Sequence, residues 1–121
     1  MTIAAESSRY MALREQLEER HRAAVDQLDV QIADAMRVRG EATEPGDAAD
    51  LGTQMAETAR MELLTSALRQ QVARLQEAME RHESGGYGMC EGCGKNIPVE
   101  RLQAMPWAAY CVPCQQQTDR R

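Results

Sequence analysis

Pro45-Gly46 is the only Pro-Gly step between two long stretches of helical periodicity, and it fixes where this chain can reverse direction. Pro lacks a backbone N–H and Gly tolerates positive φ, so the pair ends one helix and opens a turn. Before it, from about Ser7 to Arg39, apolar residues recur at Tyr10, Leu13, Leu17, Ala24, Leu28, Ile32, Ala35 and Met36. That spacing puts them on one side of a helix, with Ser7 or Ser8 available as its N-cap. After it, Leu51, Met55, Met61, Leu64, Leu68, Val72, Leu75 and Met79 repeat the pattern as far as the stop at Gly85-Gly86. Each predicted helix is ~50 Å long at 1.5 Å per residue. Two such helices joined by a short turn bury their stripes against each other. The expected fold is all-α dominated: a long antiparallel coiled-coil hairpin over residues 1–84 with its tip at 41–50, followed by a small four-cysteine module with a short C-terminal tail over 85–121.

Composition supports helices over sheet. The chain has no Phe, one Trp and three Tyr, while Ala, Leu, Met, Gln, Glu and Arg dominate. The net charge of −5 is concentrated at the turn, where Glu41, Glu44, Asp47 and Asp50 face no base within residues 41–50. A sequence pI near 5.0 argues against nucleic-acid binding through bulk electrostatics, which needs basic surface to displace counterions. No apolar run reaches the ~20 residues needed to cross a bilayer, and the start lacks a basic region followed by an apolar one. A cytoplasmic protein without membrane contact is the expectation. In a reducing compartment four cysteines point to metal rather than to disulfides.

The cysteines have a specific arrangement. Cys90-x2-Cys93 and Cys111-x2-Cys114 are two knuckles separated by seventeen residues, and each presents two thiolates to one cation. Four soft ligands suit one Zn2+ per chain, and a closed coordination sphere makes it structural. A redox dithiol would need only one such pair, and an iron-sulfur centre usually has other spacing. Residues 85–121 have few apolar groups, so metal binding should supply much of their folding free energy. Trp107 and Tyr110 are expected to pack this module or to anchor it to a surface; His82 is surplus to four thiolates. His21, in the first apolar stripe, reads as a packed or half-exposed residue.

The turn acids have two readings. An Asp at a helix N-cap with another acid three residues on accepts orphan N–H groups and suits the positive end of the helix dipole. Capping fits Asp47 better than Asp50, and it leaves Glu41 and Glu44 without a role.

An acidic turn followed by Tyr87-Gly88-x-Cys90-x2-Cys93-Gly94-x2-Ile97 and Arg101-Leu102-x-Ala104-x-Pro106-x-Ala108-x2-Cys111-x2-Cys114 resembles the DksA/TraR family of bacterial transcription factors. The resemblance covers nearly the whole chain, and Asp47-x2-Asp50 matches the family's tip motif. It implies a regulator, not an enzyme, that binds RNA polymerase directly without sequence-specific DNA binding and belongs to the setting of the stringent response. The coiled coil would enter the secondary channel while the zinc end grips its rim, altering the stability of promoter open complexes. Asp47 and Asp50 would act at the tip, near the catalytic magnesium, bridge helix and trigger loop; Cys90, Cys93, Cys111 and Cys114 would hold zinc.

The sequence also departs from the family. Gly52 stands where many members carry Ala. Of the basic residues that hold ppGpp phosphates in other members, Arg74 keeps one charge, but Met105 and Gln115 replace an Arg and a Lys. Weak ppGpp dependence follows, with Arg74 as a residual ppGpp or rim contact. The alternative function is a zinc-ribbon adaptor for nucleic acid or another protein, with the hairpin as spacer; Lys95, Arg101, Arg120 and Arg121 are its only bases near the zinc. A metalloenzyme would require an open coordination position, and a plain coiled-coil scaffold would use the tip acids as caps alone. Val25 and Val38 offer surface for self-association.

Overall fold

The computed structural model describes the backbone of residues 2–41 and 48–120 and the side chains of residues 11–40 and 49–120. Helices dominate it: α1 (Thr2–Glu41), α2 (Ala48–Ser84), α3 (Val99–Ala104) and α4 (Val112–Asp119). Among the described residues the sole β pairing is an isolated antiparallel bridge between Met89 and Asn96. No described helix is long and apolar enough to cross a membrane.

The helix ends follow local chemistry. The α1 helix starts at Thr2, so Ser7 and Ser8 lie inside it rather than capping it. The good helix formers Ala4 and Ala5 extend the helix past the two serines. At the other end of the pair, Gly85 adopts φ +87°. Its N–H donates to the His82 carbonyl at 3.4 Å and the Gly86 N–H to the Arg81 carbonyl at 2.9 Å. This double bond pattern closes a helix on a left-handed glycine and satisfies carbonyls that would otherwise be orphaned. The expected stop at Gly85-Gly86 is therefore where α2 ends.

The chain divides into two compact units, Met1–His21 with Ala73–Arg121, and Arg22–Val72. The first contains nearly all of the buried core among the described residues. Leu13 and Leu17 of α1, Leu75 and Ala78 of α2, and Tyr87, Ile97, Leu102, Pro106 and Ala108 are each almost inaccessible. Ala78 was absent from the expected stripe because a methyl group contributes little to a hydropathy pattern, although it lets neighbours approach closely. The Arg14 guanidinium ties the two helices here, with Nε 3.0 Å from Glu18 Oε1 and Nη2 3.0 Å from Glu83 Oε1. Hydrogen bonding to Glu83 and then Glu18 raises its pKa from the ordinary value.

The second unit is a pair of helical segments. Arg39 Nη2 lies 3.6 Å from Glu62 Oε1, and Ile32 shares a groove with Arg69. Residues late in α1 thus meet residues early in α2, and the segments run antiparallel. Its apolar stripe is thinly covered: Ala24 is buried, and Leu28, Ile32, Ala35, Met61 and Leu68 are half-buried. Met36, Leu51, Met55 and Leu64, expected in the buried stripes, are 65%, 45%, 64% and 48% exposed. Two helices bury only the facing strip of each cylinder, and positions beside that strip remain in water.

Candidate metal centre and the cleft beside it

Each knuckle is built by a short loop closed by its own backbone. In the first, the Cys90 N–H donates to the Lys95 carbonyl at 2.8 Å and the Gly94 N–H to the Cys90 carbonyl at 2.9 Å. Gly94 takes φ +75°, which a side chain would oppose. The Ile97 N–H donates to the Gly88 carbonyl at 2.7 Å, closing the arms of this loop. The second knuckle opens α4: Cys111 is its N-cap, and Pro113 occupies the first turn, where a missing N–H costs nothing. The Glu91 N–H joins the two knuckles by donating to the Ala109 carbonyl at 2.8 Å.

The four sulfurs converge. Cys90, Cys93, Cys111 and Cys114 place their Sγ atoms within 4.8 Å of one another, and Cys93 Sγ is 3.8 Å from Cys111 Sγ. A tetrahedron with metal-sulfur bonds of about 2.3 Å has an edge of roughly 3.8 Å, so the cage fits one such ion. Cys90 is buried, whereas Cys93 is exposed. The Gly92 and Cys111 N–H groups each donate to Cys90 Sγ at 3.3 Å.

These contacts separate the thiols electrostatically. At Cys90 burial opposes ionisation, but backbone N–H groups of Cys111, Cys93 and Gly92 outweigh it, lowering the pKa from 9.0 to about 6. Cys114 is pushed up to about 12, because hydrogen bonds with Cys111 and Cys90 hold its proton and burial adds to the effect. A thiolate already favoured at Cys90 gives an incoming cation its first ligand.

The remaining candidate residues are placed as follows. Asp50 is exposed in the first turn of α2, while Asp47 and Glu44 lie outside the described residues. The His82 ring packs on Tyr87 with centroids 5.3 Å apart, and the Tyr87 hydroxyl donates to the Pro106 carbonyl at 2.9 Å. Trp107 is half-buried with the Arg20 guanidinium 5.4 Å from its ring centroid. Arg74 lines a cleft of about 360 Å3 with Arg81, Arg101, Glu77, Glu91 and Met105 among its walls. Arg101 Nε donates to the Tyr110 carbonyl at 2.9 Å and Arg81 Nη2 to the Trp107 carbonyl at 3.2 Å. Both arginine contacts escaped sequence reasoning, since a carbonyl acceptor leaves no trace in residue identity.

Residues 84–120 match the family described as the prokaryotic dksA/traR C4-type zinc finger. An uncharacterized protein of Aquifex aeolicus is 42% identical over 87 residues, covering 69% of this chain and 58% of that protein. The RNA polymerase-binding transcription factor DksA of Caulobacter vibrioides is 38% identical over 53 residues, 44% of this chain and 37% of that factor. The chain thus spans less than two thirds of the length of either relative. The solved structure of transcription factor DksA2 from Pseudomonas aeruginosa shares the fold, with a TM-score of 0.79 over 94% of this chain and 85% of that one at 21% identity. Cys90, Cys93, Cys111 and Cys114 hold a structural zinc ion that cross-links the two knuckles, and residues 84–120 form a zinc finger of the dksA/traR C4 type.

Proposed function

We propose that this chain is a cytoplasmic transcription regulator that binds RNA polymerase directly. Its acidic turn reaches the active centre through the secondary channel and alters the lifetime of promoter open complexes. The observation that carries this reading is the zinc finger over residues 84–120, whose family includes the polymerase-binding factor of Caulobacter named above. The acids of residues 41–50 support the second half, since carboxylates brought near a catalytic cation act strongly where water is scarce. The protein needs no catalysis of its own: with four thiolates on the zinc, no position is open for substrate or water.

Dependence on ppGpp is weak in this reading. A tetra- or pentaphosphate needs several uncommitted cations, and the cleft beside the zinc supplies few. Arg81 and Arg101 are engaged with backbone carbonyls, and Glu77 and Glu91 add negative charge. Arg74 is exposed and has no hydrogen-bond or ion-pair partner among the described residues. One uncommitted guanidinium fits a contact to an acidic group on the polymerase rim better than a polyphosphate.

In vitro transcription from a ribosomal-type promoter tests the proposal, with wild type compared against Asp47→Asn/Asp50→Asn and polymerase binding measured for both. The expected result is a shorter open-complex lifetime with wild type and none of that effect with a variant that binds equally. Equal effects of both proteins would reduce the acids to helix caps, and salt-dependent DNA binding without polymerase would favour an adaptor. A large gain from added ppGpp that disappears in Arg74→Ala would overturn the ppGpp reading.

A further inference from the structure

We propose that Arg81 is a positioning residue for the zinc centre, holding both cysteine knuckles against the end of α2 before and after the metal binds. Its side chain is only 16% exposed, and Nη1 lies 3.6 Å from Glu91 Oε1. Glu91 sits between Cys90 and Cys93, inside the first knuckle. Nη2 of the same guanidinium donates to the carbonyl of Trp107 at 3.2 Å, on the strand of chain that leads into Cys111. One side chain therefore grips both arms of the metal site. Arg81 is itself fixed, because its own carbonyl accepts the Gly86 N–H that closes the helix.

The geometry has a thermodynamic consequence. Without metal, bringing two loops together costs conformational entropy, and the seventeen residues between Cys93 and Cys111 must be ordered before four ligands converge. A guanidinium presents its donors in a rigid planar fork and loses little freedom per bond formed. It lowers that ordering cost by docking each arm separately on a helix that already exists. Its charge also opposes that of the loaded centre, since four thiolates around one divalent cation form a dianion. The ion pair to Glu91 is weak by itself, as that carboxylate is 48% exposed; the half-buried carbonyl bond to Trp107 carries more of the effect. A lysine at this position has one compact ammonium and cannot span both acceptors.

Zinc affinity of the full chain tests the assignment, read by competition with a chromogenic chelator and by Co2+ absorption. Groups bonded directly to metal ligands typically govern affinity by 10–100-fold; Arg81 acts through Glu91 and the Trp107 carbonyl rather than on a thiolate, so Arg81→Ala is expected to weaken zinc binding by about tenfold, the lower end of that range. At saturation its Co2+ spectrum should match wild type, because the same four thiolates bind, and the metal-free circular dichroism should show unchanged helix content. Arg81→Lys should also bind more weakly than wild type, and Glu91→Gln should fall between the two. Zinc affinity within about twofold of wild type in a helical Arg81→Ala, well short of that tenfold loss, would overturn the proposal. Should Arg81→Ala lose its helices, Arg81→Lys decides: unchanged affinity in that variant overturns the assignment equally.

Discussion

A β-carbon added to Gly92 would lie 2.9 Å from Cys114 Sγ and 3.0 Å from Cys114 Cβ. The first knuckle therefore passes against a ligand of the second with no room for a methyl group. The intruding atom meets a sulfur that the metal holds in place, so the neighbour cannot yield as a flexible side chain would. Gly92→Ala should cost about 1–3 kcal/mol, the usual range for overpacking a filled site, and should lower zinc affinity. Thermal unfolding of the zinc-loaded protein and zinc content after dialysis would check both effects; unchanged values in both would contradict the close approach.

Gly52 is the opposite case. It lies inside α2, and nothing comes within 4 Å of the position a β-carbon would take. An alanine there removes the entropic cost of a helical glycine without a clash. Gly52→Ala should stabilise the protein by about 0.5–1 kcal/mol, measured by denaturant unfolding. In transcription assays it should strengthen the effect of the acidic turn by firming the first turns of α2, if the proposed function holds.

Zinc binding should rise with pH through the neutral range. In the metal-free protein the Cys90 pKa is lowered from 9.0 to about 6. A depressed folded-state pKa gives stability that is full above 9.0 and is lost as pH falls through about 6. Cys114, pushed up from 9.0 to about 12, has the opposite sign: its contribution is present below 9.0 and lost as pH rises through about 12. At neutral pH the Cys114 proton must leave when zinc arrives, whereas Cys90 has already ionised. Calorimetric titration in buffers of different ionisation enthalpy should show proton release, and zinc affinity should increase between pH 6 and 9. Affinity independent of pH over that interval would contradict the assignment of these two thiols.

The sequence was most legible where a single residue type dictates the backbone or the chemistry. Gly85-Gly86 ends α2 because only glycine takes the left-handed cap cheaply, and Cys90, Cys93, Cys111 and Cys114 converge as their spacing indicates. Periodicity was less informative about depth. It placed Leu17 and Leu75 correctly, yet gave Met36 and Met55 the same standing, although these two remain 65% and 64% exposed. A hydropathy pattern identifies a face of a helix, but burial depends on how much neighbouring structure covers that face. Ser7 and Ser8 show another limit, since a capping residue marks a helix start only where the preceding residues do not continue the helix.

By itself, then, the sequence determined where the long helices stop, which four side chains bind the metal, and where the acidic charge collects. Each of these follows from local dihedral preference, ligand softness or simple charge. Tertiary structure alone decided that Arg81 and Arg101 are engaged with the carbonyls of Trp107 and Tyr110, that Gly92 lies against Cys114, and that Cys90 and Cys114 differ in acidity. Those outcomes depend on backbone groups from distant parts of the chain arriving at one place, and a backbone N–H or carbonyl is the same at nearly every residue. Residue identity cannot encode which of them will meet; the packing of the folded chain does.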